Sequence, residues 1–420
     1  MILWCHHSGS SSEWRLICAN LQRRRCGPKI MTPASALGSS YLIAARRTAL
    51  GRPGGLHKSR RLESLTAPVI EAILKDAALE PHTVDEIILG NTTAGGNPAR
   101  LVGLASGLRE RVPALTVDRH CASGLDAVLL AMRAVALGDA NVIVAGGAES
   151  ISTAPWRVAK PKSLFQTPRF IGPDSEVGEA ADVAASVAAS EDLARRLGIT
   201  REQQDSYALR SYLKAELASS ERRFVGEIVP LRMAGEEGRD ESAGAPDPDE
   251  LAALAPLVPP DGTHTSGNTS ALKDGAALAV IVSEKVHANL GAPRALRLVA
   301  SVTEGVGPSE EARAPVAALE KLLRPESGFQ RSQLGLVEIA ETSAAQALAL
   351  RAAFEFEDTE LNPDGGAVAR GLPLGAASAV SVVRLFTRMV RKAPRPRQPF
   401  GAVIQGAIGG LGAAALFEAV

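Results

Sequence analysis

The same order of elements occurs twice along this chain, and that constrains the fold more than any other feature. APVIEAILKDAALEPHTVDEIILGNTT (67–93) carries an apolar pattern at helical spacing, a polar turn and the strand-like run EIILG. APVAALEKLLRPESGFQRSQLGLVEIAETS (314–343) repeats those features and ends in LGLVEIA. The parallel continues. ASGLDAVLLAMRAV (122–135) reads as a helix before the strand NVIVAGG (141–147). NPDGGAVARGLPLGAASAVSVVRLFTRMV (362–390) supplies a glycine-rich loop and a helix ahead of GAVIQGAIGG (401–410). A repeat of this length is a duplicated domain and not a solenoid. Strands alternating with helices predict an α/β protein whose sheets are covered on both faces.

Between the copies the composition changes. GITREQQDSYALRSYLKAELA (198–218) predicts a helix opened by a capping box, Thr200 with Gln203 three residues on. MAGEEGRDESAGAPDPDE (233–250) reads as a solvated acidic loop, and GTHTSGNTSALKDGAALAVIVSE (262–284) as a small-residue loop, a turn and a buried strand. The expected organisation is a first half at 36–286 with a loop-rich insertion over about 154–270, and a second half at 287–420. Residues 1–35 mix Trp, Cys, His and Arg without periodicity or a secretory h-region. They are expected to be a disordered or artefactual extension, with Met31 a candidate initiator.

Charge and cysteine usage narrow the function. Lys plus Arg and Asp plus Glu are both 46, so no net field draws the chain to nucleic acid or a charged membrane. No uninterrupted apolar run reaches the length of a membrane span. Cys5, Cys18 and Cys26 fall in the extension, which leaves Cys121 alone in the body. The body cannot form an internal disulfide, and a reducing, cytoplasmic setting is expected. The seven histidines lack paired metal-ligand spacing outside the extension, so no metal is expected. The glycine-rich stretches lack the phosphate-loop and dinucleotide contexts, so no cofactor is expected either.

Cys121 stands in DRHCASGLDAV (118–128), between the strand-like ALTV (114–117) and the helix that follows. A thiol at a helix N-terminus meets a positive dipole, which favours the thiolate that attacks carbonyls. A lone cysteine is otherwise as readily a buried, inert residue.

These pieces resemble the thiolases, acyl-CoA acyltransferases that form an acyl-cysteine. The resemblance runs from YLIAARRTALGRPGG (41–55) to the C-terminus through LGNTTAGGNPAR (89–100), DRHCASGLDAV, VAGGAESISTAP (144–155), GTHTSGNTSALKDGAA (262–277), VEIAETSAAQAL (337–348), NPDGGAVARGLPLGAAS (362–378) and AIGGLGAAALFE (407–418). It implies two similar halves with five-stranded mixed sheets, stacked as five α-β-α-β-α layers, plus a loop domain over the coenzyme A site. It implies Cys121 as the nucleophile, Ser270 in contact with coenzyme A, and His264 in a loop lining the acyl-CoA channel. It also implies a Gly409 backbone N–H facing the substrate oxygen, and a homodimer or homotetramer active in fatty acid metabolism.

The sequence departs from the family pattern at three polar positions. Leu372 stands where the family has the first basic His, Ala407 where it has the second Cys, and Ala340, beside Glu341, where an Asn orients the oxyanion-hole water. The loop after Ala407 is also one glycine short. Each general acid or base contributes about 100- to 10,000-fold. Losing two costs on the order of 5 to 11 kcal/mol if the effects add. His120 and His264 are the candidate substitutes. The expected activity is acyl transfer through Cys121, as 3-ketoacyl-CoA thiolysis or acetyl-CoA condensation, impaired or altered. The alternatives are a non-catalytic acyl-CoA-binding homologue and an acyl-CoA hydrolase, because water attack on an acyl-cysteine needs no base at the α-carbon.

Overall fold

The computed structural model describes residues 38–161, 163, 165–171, 183–231, 238–242, 244–392 and 398–420. The expected extension at 1–35 lies outside them. Ser39–Val420 form one compact unit. Its strands are β1 (Ser40–Thr48), β2 (Glu86–Gly90), β3 (Ala114–Val117), β4 (Val142–Glu149), the short β5 (Arg157–Ala159), β6 (Arg169–Ile171) and β7 (Ile228–Val229), then β8 (Gly275–Ser283), β9 (Leu296–Gly305), β10 (Leu334–Ile339), β11 (Phe400–Ala407) and β12 (Leu411–Ala419).

The duplication is visible in the strand pairing. The first half runs β3-β2-β4-β8-β1 and the second β10-β11-β12-β9. β2 is parallel to β4, β4 antiparallel to β8, and β8 antiparallel to β1. In the same sense β10 is parallel to β11, β11 antiparallel to β12, and β12 antiparallel to β9. The fifth strand expected in the second half is reduced to one parallel bridge, Val337 with Leu361. Asn362 turns the chain at φ 43° directly after that bridge, and Pro363 brings no N–H to extend it. The halves are also joined edge to edge, because β1 pairs with β9 through Tyr41–Arg297 and Leu42–Leu296.

Buried side chains define the layers. Helices Ser123–Leu137 and Ala377–Phe386 share a central cluster in which Leu125, Val128 and Met132 meet Val380, Val383 and Phe386. Outside the first sheet, Leu65, Val69 and Ile73 of helix Leu62–Asp76 cover Val144, Leu278 and Val280. Outside the second, Leu319 and Leu322 of helix Ala314–Leu322 cover Ile404 and Leu416. The result is the α-β-α-β-α stack. At the centre the backbones touch: a Cβ added to Gly147 would lie 2.1 Å from the Gly375 carbonyl oxygen, so only glycine fits there.

In the insertion, helix Arg201–Ser220 opens with the expected capping box on Thr200 and Gln203. The acidic stretch behaves differently from expectation. Asp240 accepts from the fully buried Arg47 at 2.6 Å, and Glu241 accepts the N–H groups of Arg52 and Leu56 at 2.9 and 3.0 Å. A buried guanidinium requires carboxylate partners, and this loop supplies one.

Candidate active site

Cys121 is delivered by a tight strand-to-helix turn. β3 ends at Val117, and Asp118 Oδ1 accepts the His120 N–H at 2.9 Å. His120 takes a left-handed φ of 48°. The Ser123 hydroxyl then closes the turn, donating to the His120 carbonyl at 2.6 Å and accepting the Arg119 N–H at 2.7 Å. Helix Ser123–Leu137 begins with Ala122 at its N-cap, a residue with no side chain to cap it. The cap comes from the other half of the molecule. The Ser378 hydroxyl accepts the Leu125 N–H at 2.9 Å and donates to the Cys121 carbonyl at 2.8 Å. The backbone of Cys121 is therefore fixed by both copies of the repeat. The segment His120–Leu137 is long and apolar enough to cross a membrane, yet 67% of it is buried within the protein, as befits a core helix.

Two of the three departures from the family pattern, Ala340 and Leu372, pack with the thiol. Cys121, 2% exposed, packs in one apolar group with Ala340, Ala367, Leu372, Leu374 and Ala377. Leu372 is held by the loop before β8: its N–H bonds the Ala271 carbonyl at 2.8 Å and its carbonyl accepts the Lys273 N–H at 3.1 Å. Ala340 follows β10, and its carbonyl accepts the Gln405 amide at 3.0 Å. Ala407 ends β11 and joins the central cluster with Ala122. Glu341 is fully buried and receives the Asn362 amide at 2.8 Å and the Ala367 N–H at 3.0 Å. Burial pushes its carboxyl up, against those hydrogen bonds. It holds the loop around residue 367 and supports the site.

Two expected substrate contacts are placed otherwise. His264 has no exposed surface. Its Nε2 lies 2.7 Å from the Ser190 hydroxyl and its Nδ1 3.1 Å from Glu191, and burial pulls its pKa down despite that carboxylate. The ring ties the loop to helix Val183–Leu197. The Gly409 N–H, expected to face a substrate oxygen, donates to Glu311 at 2.8 Å. The turn between β11 and β12 closes against Glu311, whose carboxyl is pushed up by burial. Ser270 is half-buried. Its hydroxyl donates to the Glu341 carbonyl at 2.5 Å, which leaves its oxygen able to accept from a ligand. His120, the residue before Cys121 in the chain, is half-buried.

The sequence matches the thiolase N-terminal domain over residues 40–285 and the thiolase C-terminal domain over 293–419. The chain belongs to the thiolase family. It is similar to an acetyl-CoA acetyltransferase of Allochromatium vinosum, with 33% identity over 365 residues, 84% of this chain and 92% of that protein. Among solved thiolases, the Bacillus anthracis acetyl-CoA acetyltransferase superposes with a TM-score of 0.83 at 31% identity, covering 92% of this chain and 100% of that one. Human mitochondrial 3-ketoacyl-CoA thiolase in complex with CoA also superposes with a TM-score of 0.83, at 28% identity, covering 91% and 98%.

Against this thiolase frame, three residues escaped the reading of the sequence. Ser378 opens the helix of the second copy as Ser123 opens that of the first, so aligning the two copies pointed to it. Lys273 is 5% exposed, its pKa lowered by burial, and its amine bonds the Glu241 carbonyl. Arg370, two residues before Leu372, is 6% exposed, and nothing in its local sequence marks a buried charge.

Proposed function

We propose that this chain is an acyl-CoA acyltransferase that takes the acyl group of a coenzyme A thioester onto Cys121, with most of the usual proton-transfer groups gone. One observation carries the reading. Cys121 is fixed by Ser378 at the start of a helix, as a nucleophile must be, while Ala340 and Leu372 pack beside it where polar groups would act. Acyl-cysteine formation joins the sulfur to the acyl carbon, breaks the bond to coenzyme A and passes the proton to the departing thiolate. The helix N-terminus assists that step without a histidine. Removing a proton from the α-carbon of a second acetyl-CoA needs a base, and alanine at 407 supplies none.

The hydrolase alternative is less well supported. It needs a water held against the acyl carbon, and Ala340 and Leu372, where the family has polar groups, supply no side chain to hold one. The cysteine distribution supports a reducing, cytoplasmic setting. The exposed edge strand β3, with Leu115 44% exposed, supports association into a homodimer or a larger homo-oligomer.

Acetoacetyl-CoA thiolysis followed alongside intact-protein mass spectrometry tests the proposal. An acyl adduct on Cys121 with turnover far below that of an intact thiolase site is the expected result. No adduct with any acyl-CoA supports a binding homologue instead. Condensation of acetyl-CoA at an undiminished rate shows that another residue supplies the base.

A further inference from the structure

Three exposed aromatic rings crowd into one short hairpin. Strands β5 and β6 form a separate two-stranded sheet beside the main one. Trp156, Phe165 and Phe170 are 87%, 96% and 67% exposed, and among the described residues no other Trp or Phe is exposed. The register sets Val158, also exposed, opposite Phe170. Trp156 precedes Val158 by two residues, hence on the same face, and meets Phe170 edge-on with ring centres 5.6 Å apart. The neighbouring position holds the hairpin to the body, because Arg157 donates to the Thr92 and Thr93 carbonyls at 3.1 and 3.2 Å. Just before the hairpin, the Ser152 hydroxyl accepts the Gly54 N–H at 2.8 Å and donates to Asp274. A two-stranded ribbon is marginal by itself in water, and a monomer seldom leaves so many large apolar side chains together in solvent. The outer face is built to be covered.

The charge of the segment says by what. Residues 151–171 hold four basic side chains, Arg157, Lys160, Lys162 and Arg169, and no acidic one, although the whole chain balances 46 against 46. Lys160 is exposed. A second copy of the hairpin sets like charge against like charge, which opposes pairing. Phe165, almost wholly in solvent, suits insertion into a fluid phase better than the close packing at the core of a protein interface. Trp and Phe beside Lys and Arg match the surface of an anionic bilayer. The rings enter the boundary between headgroups and acyl chains, and the cations stay with the lipid phosphates.

We propose that the β5–β6 hairpin docks this chain on an anionic bilayer, with Trp156, Phe165 and Phe170 entering the headgroup boundary and Lys160 meeting lipid phosphates. The docking is peripheral, and it depends on the local excess of positive charge, which the balanced total conceals. It stands independently of the acyl-transfer reading above.

The test sediments the full chain with vesicles of phosphatidylcholine, and with vesicles of equal parts phosphatidylcholine and phosphatidylglycerol. Wild type is expected to bind the anionic vesicles at least about 10-fold more tightly than the neutral ones, and less tightly as salt is raised. Its tryptophan emission shifts to shorter wavelength on binding. Trp156→Phe keeps the binding and loses the shift. Phe165→Ser combined with Phe170→Ser weakens binding at least about 10-fold. Lys160→Ala, at an exposed side chain, weakens it about 5-fold and serves where the double variant does not fold. No binding, equal binding to both vesicle types, or binding unchanged in the serine and alanine variants overturns the proposal. An emission shift that persists in Trp156→Phe places the contact elsewhere on the chain and overturns it as well. A wild-type oligomer that dissociates in the double serine variant without vesicles shows that a second copy covers this face, and overturns it too.

Discussion

Ser378→Ala probes how Cys121 is held. The hydroxyl makes two buried contacts at 2.8 and 2.9 Å, one to the Cys121 carbonyl and one from the Leu125 N–H. Ser378 has no exposed surface, so water does not replace the lost oxygen at once. A net hydrogen bond contributes about 1 kcal/mol, and a buried group left unsatisfied costs about 1–3 kcal/mol. Two such groups, one of them the cap of the helix, give an expected destabilisation of about 2–4 kcal/mol. Urea denaturation reads that directly, as a lower midpoint at unchanged slope. Iodoacetamide labelling of Cys121 under native conditions is the second readout, and its rate is expected to change several-fold as the turn loosens. Ser378→Thr, which keeps the hydroxyl, is expected to lose less. A loss below about 0.5 kcal/mol with unchanged labelling in the alanine variant, within the ordinary range of surface substitutions, shows that the second half does not position Cys121.

Leu372→His places an imidazole in the apolar group beside Cys121 and is expected to raise the acylation rate at least about 10-fold, towards the low end of general-base contributions. Ala407→Cys added to it is expected to raise acetyl-CoA condensation, followed by acetoacetyl-CoA absorbance; no gain in either step shows that the substituted positions do not limit the reaction. Glu338 gives a pH dependence: burial pushes its carboxyl up to about 7 from an ordinary value of 4.5, so the folded state binds the proton more tightly than the unfolded one. Stability is therefore lost as pH rises from about 4.5 through 7, by about 3 kcal/mol, and Glu338→Gln is expected to narrow the gap between urea midpoints at pH 5 and pH 8. Sedimentation at micromolar concentration is expected to show a dimer at least, and a well-folded monomer speaks against use of the β3 edge.

Local signals carried the fold a long way. Helical spacing in 122–135 and 67–76, the run EIILG, and the Thr200 capping box each report on neighbours a few residues away, and each formed where its residues indicated. β12 shows the opposite case. LGAAALFEA holds four alanines, good helix formers, yet pairing with β9 on one side and β11 on the other makes it a central strand. The site divides the same way. Cys121 was legible because turn and helix start lie within its own segment. The burial of His264 was not legible because its partners Ser190 and Glu191 sit more than 70 residues upstream. The Arg47, Glu227 and Arg384 cluster spans |i−j| of 180 and 157, distances at which one sequence says nothing of pairing. The partner of the Gly409 N–H was not legible because Glu311 lies 98 residues upstream.

The Ser378 contact also has a consequence for how the enzyme is made. Its two ends lie 257 residues apart. At about 5–20 residues per second, a ribosome takes roughly 10 to 50 seconds between adding the cysteine and adding the serine that braces it. A nascent first half thus carries its thiol without the brace throughout that interval, and activity matures only as the last helix of the second half reaches its place.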